Sequence, residues 1–164
     1  MQSLKEFTRT LFSVVVIGFG ALSVSFGAQS KPTTVQIDLR VGGVAYTISG
    51  PGECHATDDA SIYNAPAGMK GVQQSDASRS LNFTMWRLVK GGDMITLDIT
   101  LGAKRHRVNT LTVGPAAERR GSGSVTFQAR GAGGVFTFDA TADTGARITG
   151  QDSCSAFAKP EENG

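Results

Sequence analysis

The sequence predicts an all-β fold: an antiparallel β-sandwich or small β-barrel of about eight or nine short strands, preceded by an N-terminal signal helix. Three observations carry this reading. From residue 33 onward apolar residues recur at every second position, turn signals interrupt them at short intervals, and no segment sustains a helical period. Glycine is frequent, at 21 of 164 residues, and aromatic residues make up only 7%, which suits short strands joined by tight turns. Turns of about two to five residues cannot make the crossovers that parallel strands require.

Val35, Ile37 and Leu39 alternate with Gln36, Asp38 and Arg40, and Gly42-Gly43 turns the chain into Val44, Tyr46 and Ile48. Residues 50–76 carry Pro51, Pro66, several glycines and Asp58-Asp59, and read as a long loop with one short strand near Val72. Leu81, Phe83 and Met85 then alternate with Asn82 and Thr84, while Trp86 and Leu88 add apolar bulk to the opposite face, so both faces of that strand are expected to be covered. Asn82-Phe83-Thr84 also matches a glycosylation acceptor, though inside a strand. A turn at residues 90–93 leads to Ile95, Leu97, Ile99 and Leu101, the most regular alternation in the chain. After Gly102-Ala103, residues 105–113 have mixed parity, Val108 on one face and Leu111 with Val113 on the other, and a bulge would reconcile them. A loop over 114–123 precedes Val125 and Phe127; Phe136, Phe138 and Ala140 follow the turn at 131–134, and Thr144-Gly145 turns into the closing segment 147–157.

Ahead of this lies a charged head with Lys5 and Arg9 against Glu6, then an apolar stretch over 11–28 and small residues after it. That order is a secretion signal, residues 1–30, cut after Ser30 or after Gly27. The alternative is an uncleaved inner-membrane anchor formed by residues 11–28, the only segment apolar enough to reach a membrane. Lipidation is not expected, because the first cysteine is Cys54. The expected location is therefore secreted or periplasmic. Residues 31–164 form one expected domain, in which Lys and Arg fall from 16 to 14 and Asp and Glu from 14 to 13, leaving a net charge of +1. Such a balance gives no reason to expect a nucleic-acid partner.

Cys54 and Cys154 are the only thiols, so an oxidising compartment makes one intrachain disulfide the expectation. It would close a loop of 100 residues and tie the early loop to the last strand. A redox-active pair is the competing reading, but such pairs sit close in sequence, as in Cys-x-x-Cys.

Chemistry-bearing constellations are sparse. His55 stands beside Glu53 and Asp58, a weak candidate metal site that lacks ligand spacing of any strong type, so neither a metal nor another cofactor is expected. Lys104, Arg105 and Arg107 form the densest basic run, with Arg119 and Arg120 in the next loop. These read as a contact for an anionic surface or acidic partner, or as a charged edge strand that blocks edge-to-edge pairing. On a strand Arg105 and Arg107 share one face, and Lys104 and His106 the other. Tyr63, in the expected long loop, is the best candidate for an exposed aromatic contact, whereas Trp86 reads as core. Gly121-Ser122-Gly123 and residues 131–134 are turns, since they precede strands and lack the Lys-Ser/Thr ending of a phosphate loop.

Thr144-Gly145-Ala146-Arg147-Ile148, ending at Cys154, is similar to the Ser-Gly-x-x-Tyr and terminal-cysteine pattern of periplasmic inhibitors of C-type lysozyme. Thr144 and Ile148 stand where that pattern has its serine and tyrosine, and its Trp-x-Lys-Gly stretch is missing. The sequence therefore predicts a non-enzymatic cell-envelope binding module that presents residues 50–76 and 114–123 to an envelope protein or glycan. The alternative is a periplasmic enzyme inhibitor or small enzyme using the segment around His55.

Overall fold

The alternation read from the sequence becomes nine antiparallel strands in one sheet. The computed structural model describes residues 33–158, so the expected signal at 1–30 lies outside the described residues. The strands are β1 (Thr33–Val41), β2 (Val44–Ile62), β3 (Ala65–Ser75), β4 (Arg79–Leu88), β5 (Asp93–Leu101), β6 (Lys104–Asn109), β7 (Ser122–Arg130), β8 (Gly133–Thr141) and β9 (Arg147–Cys154). There is no α-helix among the described residues, only a single 3₁₀ turn at Ala116–Glu118, and no helix long and apolar enough to cross a membrane.

The order across the sheet is β6-β5-β4-β3-β2-β1-β9-β8-β7. It is two meanders, β1 to β6 and β7 to β9, whose strands pair with their chain neighbours; β1 and β9 join them in register from Val35↔Cys154 to Val41↔Ile148. The sheet curls until its two edges nearly meet. Asn109 and Arg120 exchange backbone hydrogen bonds of 2.7 and 3.0 Å across the seam, and the Asp143 N–H donates to the Arg107 carbonyl at 2.8 Å.

Two segments differ from the sequence expectation. Residues 50–76 are not a loop: β2 runs to Ile62 and β3 returns from Ala65. The glycines there serve close approach within strands. A Cβ on Gly52 would come within 2.6 Å of Val35 Cγ2, and one on Gly71 within 2.3 Å of His55 Nε2. The turn is instead Tyr63-Asn64, both left-handed with φ of 48° and 63°, the conformation that two-residue hairpins use. The mixed parity of residues 105–113 needs no bulge, because β6 ends at Asn109. Val108 points into the core, while Leu111 belongs to the following loop, whose N–H is held by Asn109 Oδ1 at 3.0 Å.

The interior is filled by side chains of both meanders. Phe83 of β4 meets Phe136 and Phe138 of β8 edge-on, at 5.0 and 4.8 Å between ring centres. Val35, Ile37 and Leu39 of β1 and Leu81, Ile95 and Ile99 of β4 and β5 are buried around them. Trp86 is not part of this interior: it lies on the outer face, half-buried between Met69 and Met94 in the register of the neighbouring strands. At one end, residues 155–158 cross the barrel mouth. The Phe157 ring packs on Phe127 and Phe136, and Ala158 exchanges backbone hydrogen bonds with Cys54 and Ala56 at 2.9 Å each.

The expected disulfide is present between Cys54 of β2 and Cys154 of β9, with both residues buried. It lies just past Gly52, the last residue of β2 paired with β1 among the described residues. In the chain-entropy account a bridge closing about 100 residues contributes up to about 4.7 kcal/mol. Replacing both cysteines with serine is expected to lower the thermal midpoint by well over 10 °C, read by circular dichroism; a change within a few degrees would show that β1–β9 pairing holds this end alone.

One interior residue opposes the fold. Asp152 is fully buried between Ile37 and Phe136, and neither carboxylate oxygen has a hydrogen-bond partner. Burial pushes its pKa up to about 7. The folded state therefore keeps a proton that the unfolded chain releases near 3.8, so stability falls as pH rises from there towards 7 and levels above. The total change is about 4 kcal/mol. Asp152→Asn should remove this slope, leaving stability at pH 4 little altered and raising it at pH 8 in urea titrations.

Candidate functional site

The outer face of β4, β5 and β6 gathers part of the sequence-nominated set, Arg105 and Arg107 on β6 and Arg120 in the loop after it. Outward alternation places Asn82 on β4, Thr96 and Asp98 on β5, and Arg107 and Asn109 on β6; register brings Asn82 beside Asp98 and Asp98 beside Arg107. The loop after β6 folds back over them, and Glu118 and Arg120 complete the wall of a polar hollow of about 380 Å³.

Several contacts fix the roof of this hollow. Arg119 donates from Nε to the Leu111 carbonyl at 2.9 Å, and Arg120 donates to the carbonyls of Ala117 and Arg119. The Tyr63 hydroxyl, at the tip of the β2–β3 hairpin, donates to Glu118 Oε2. Gly114, with φ of +80°, lies so close to the Tyr63 ring that a Cβ there would come within 2.4 Å of Cε2. The two segments nominated from sequence thus touch each other through Tyr63.

The basic residues are engaged within the protein. Arg105 pairs with Asp98, and Arg107 with Asp143 at 3.0 Å, while the Arg107 N–H also donates to Asp143 Oδ1 at 3.0 Å. These bonds hold the Asp143 carboxyl below its ordinary range. Lys104 is exposed and makes no ion pair among the described residues. His106 points inward as alternation requires, and its Nδ1 lies 2.7 Å from Thr144 Oγ1, tying β6 to the β8–β9 turn. The hollow is accordingly rich in hydrogen-bonding groups and close to balanced in charge.

The weak metal candidates lie elsewhere, on β2. His55 sits half-buried on the outer face of β2 against Gly71, and loss of hydration lowers its pKa. Glu53 is exposed, and Asp58 lies at the irregularity between Thr57 and Ala60, beside a second hollow lined by Lys70 and Arg87. Among the described residues no three His, Cys, Asp or Glu side chains gather at metal-binding distance.

Sequence reasoning missed Asn82, Asp98, Asn109, Thr96 and Glu118 as members of the site. The signal for the first four was the outward parity of their strands; Glu118 had none, because only the loop's path places it. No family model, curated protein or solved structure matches this chain.

The protein has two tyrosines, both shifted upward for different reasons. Burial, reinforced by Asp76, raises Tyr46 to about 12, and the hydrogen bond to Glu118 raises Tyr63 from 10.0. Ultraviolet titration of Glu118→Gln should move the first phenol transition down while leaving the second in place. An unchanged first transition would show that Tyr63 and Glu118 are not bonded in solution.

Proposed function

We propose that this protein is a non-enzymatic, extracytoplasmic binding module that recognises a neutral, hydroxyl-rich glycan of the cell envelope in the hollow over β4–β6. The observation that carries the reading is the composition of that hollow. The side chains of Asn82, Thr96, Asp98, Arg107, Asn109, Glu118 and Arg120 offer both donors and acceptors, and the guanidinium groups of Arg105 and Arg107 already have carboxylate partners. Such a surface matches hydroxyl groups, which donate and accept, better than it matches an anion. The packed interior supports an outside site, because Phe83, Phe136 and Phe138 occupy the space a ligand in the barrel would need. The buried disulfide supports an oxidising compartment, in keeping with the signal-like order of residues 1–30.

Neutral oligosaccharides released from envelope glycans are the probe, with binding followed by calorimetry. Wild-type protein should bind with little dependence on salt, and the paired change Asn82→Ala with Thr96→Ala, two lining residues whose side chains make no hydrogen bond among the described residues, should weaken binding at least tenfold while the melting curve stays in place. Binding that collapses between low and high salt would point instead to an anionic ligand at Lys104 and its neighbours. Equal binding by the double variant would remove the hollow from the mechanism.

A further inference from the structure

The two edges of the curled sheet are treated differently by the sequence. β6 is short and basic, and its outward backbone groups at Arg107 and Asn109 find partners. The two-residue turn Gly102-Ala103 makes Leu101 and Lys104 a hydrogen-bonded pair, so residues 104, 106 and 108 face β5 while 105, 107 and 109 face out. The outward groups at 107 and 109 are those that meet Asp143 and Arg120.

The same logic applied to β7 gives the opposite outcome. Gly131-Ala132 is a two-residue turn with Gly131 at φ +56°, and Arg130 pairs with Gly133. Residues 122, 124, 126, 128 and 130 therefore face β8, and the N–H and C=O groups of Gly123, Val125, Phe127 and Ala129 face out. No backbone group among the described residues bonds to them. Over its length, Ser-Gly-Ser-Val-Thr-Phe-Gln-Ala-Arg, the strand has no proline and no charge before Arg130, so it lacks the devices that usually blunt an edge.

We propose that β7 is a self-association edge, on which a second copy of this chain adds its own β7 antiparallel about a two-fold axis at Thr126. The sequence is complementary to itself in that register. Val125 faces Phe127 of the second copy, Ser124 faces Gln128, Gly123 faces Ala129 and Ser122 faces Arg130, so no like charges oppose. A charged peptide would find only Arg130 to answer it, which favours the second copy as occupant. The outward groups at 123, 125, 127 and 129 become the hydrogen-bonded sites of the new ladder. Thr126 then faces its own copy at a non-hydrogen-bonded site, where Cα atoms lie about 4.5 Å apart. That separation falls within the range a disulfide spans, about 4.4–6.8 Å.

The test is Thr126→Cys in the otherwise intact, oxidised protein, followed by mild oxidation and non-reducing electrophoresis. The expected result is a reducible dimer, formed much faster than by Thr137→Cys, which lies on the outer face of β8 beside Thr126. Adding Ala129→Pro removes one outward donor without touching the β8 ladder and should abolish the cross-link at unchanged circular dichroism. Should that variant fail to fold, Thr126→Lys in the native background sets two cations face to face and should shift sedimentation from dimer to monomer. The proposal is overturned if Thr126→Cys stays monomeric at millimolar concentration or cross-links no faster than Thr137→Cys. It is equally overturned if the amides of Val125 and Phe127 resist hydrogen exchange in dilute monomer, which would place a segment of the same chain on the edge.

Discussion

The pairing of β1 with β9 is the constraint on which the structure depends. Every other strand pair is a hairpin between chain neighbours, and the two meanders share this single ladder. Without it Phe83 would not face Phe136 and Phe138, and Cys54 would have no route to Cys154. The contact is close as well as long-range. Gly150, with φ of +127°, sits where a Cβ would come within 2.2 Å of the Asp38 carbonyl, so only glycine lets β9 lie against the middle of β1. Loop-closure entropy opposes such a pairing before it forms, and the burial of Val35, Ile37, Leu39 and Ile148 together with the disulfide offsets it.

From that ladder follow the closed interior and the exposed site. Once the meanders fold over one another, aromatic rings fill the space between β4 and β8, and Phe157 covers one end. Asp152 lies on the same ladder and is carried inside by alternation, away from water and from any partner. Nearby, Tyr46 donates to Gln74 at 2.8 Å, so that buried hydroxyl is satisfied where Asp152 is not. The fold therefore holds the Asp152 carboxyl, like the unpartnered Trp86 Nε1 on the outer face, at a standing cost, and leaves ligand chemistry to the outer surface.

The seam between β6 and β7 links the polar hollow to the free edge of β7. Asn109–Arg120 and Arg107–Asp143 fasten β6, and Arg107, Asn109 and Arg120 at the same time form one wall of the polar hollow. Past Ser122 that fastening ends, and β7 continues with one backbone edge unpaired among the described residues. One closure thus positions the proposed recognition groups and leaves the proposed association edge free.

Local alternation was enough to specify most of the strands and their inner faces, β3 and the far half of β2 excepted. Ile37, Phe83, Leu97 and Phe138 point inward because a two-residue period admits only two faces, and the turns at Gly42-Gly43, Gly102-Ala103 and Thr144-Gly145 carry their own backbone chemistry. Two cysteines left one intrachain pairing, so the disulfide was legible too. The β2–β3 hairpin was not, because a glycine such as Gly71 has the same local signature whether it turns the chain or admits a neighbour such as His55. Nor was the site, since Tyr63 meets Glu118 and Arg107 meets Asp143 across 55 and 36 residues of chain. The sequence by itself determined β1, the start of β2, the strands from β4 onward with most of their buried faces, and the one possible staple, all of which follow from nearest neighbours or a count. Tertiary structure alone decided which strands join, that Asp152 is left without a partner, and which polar groups share a hollow, because those depend on register across distant segments.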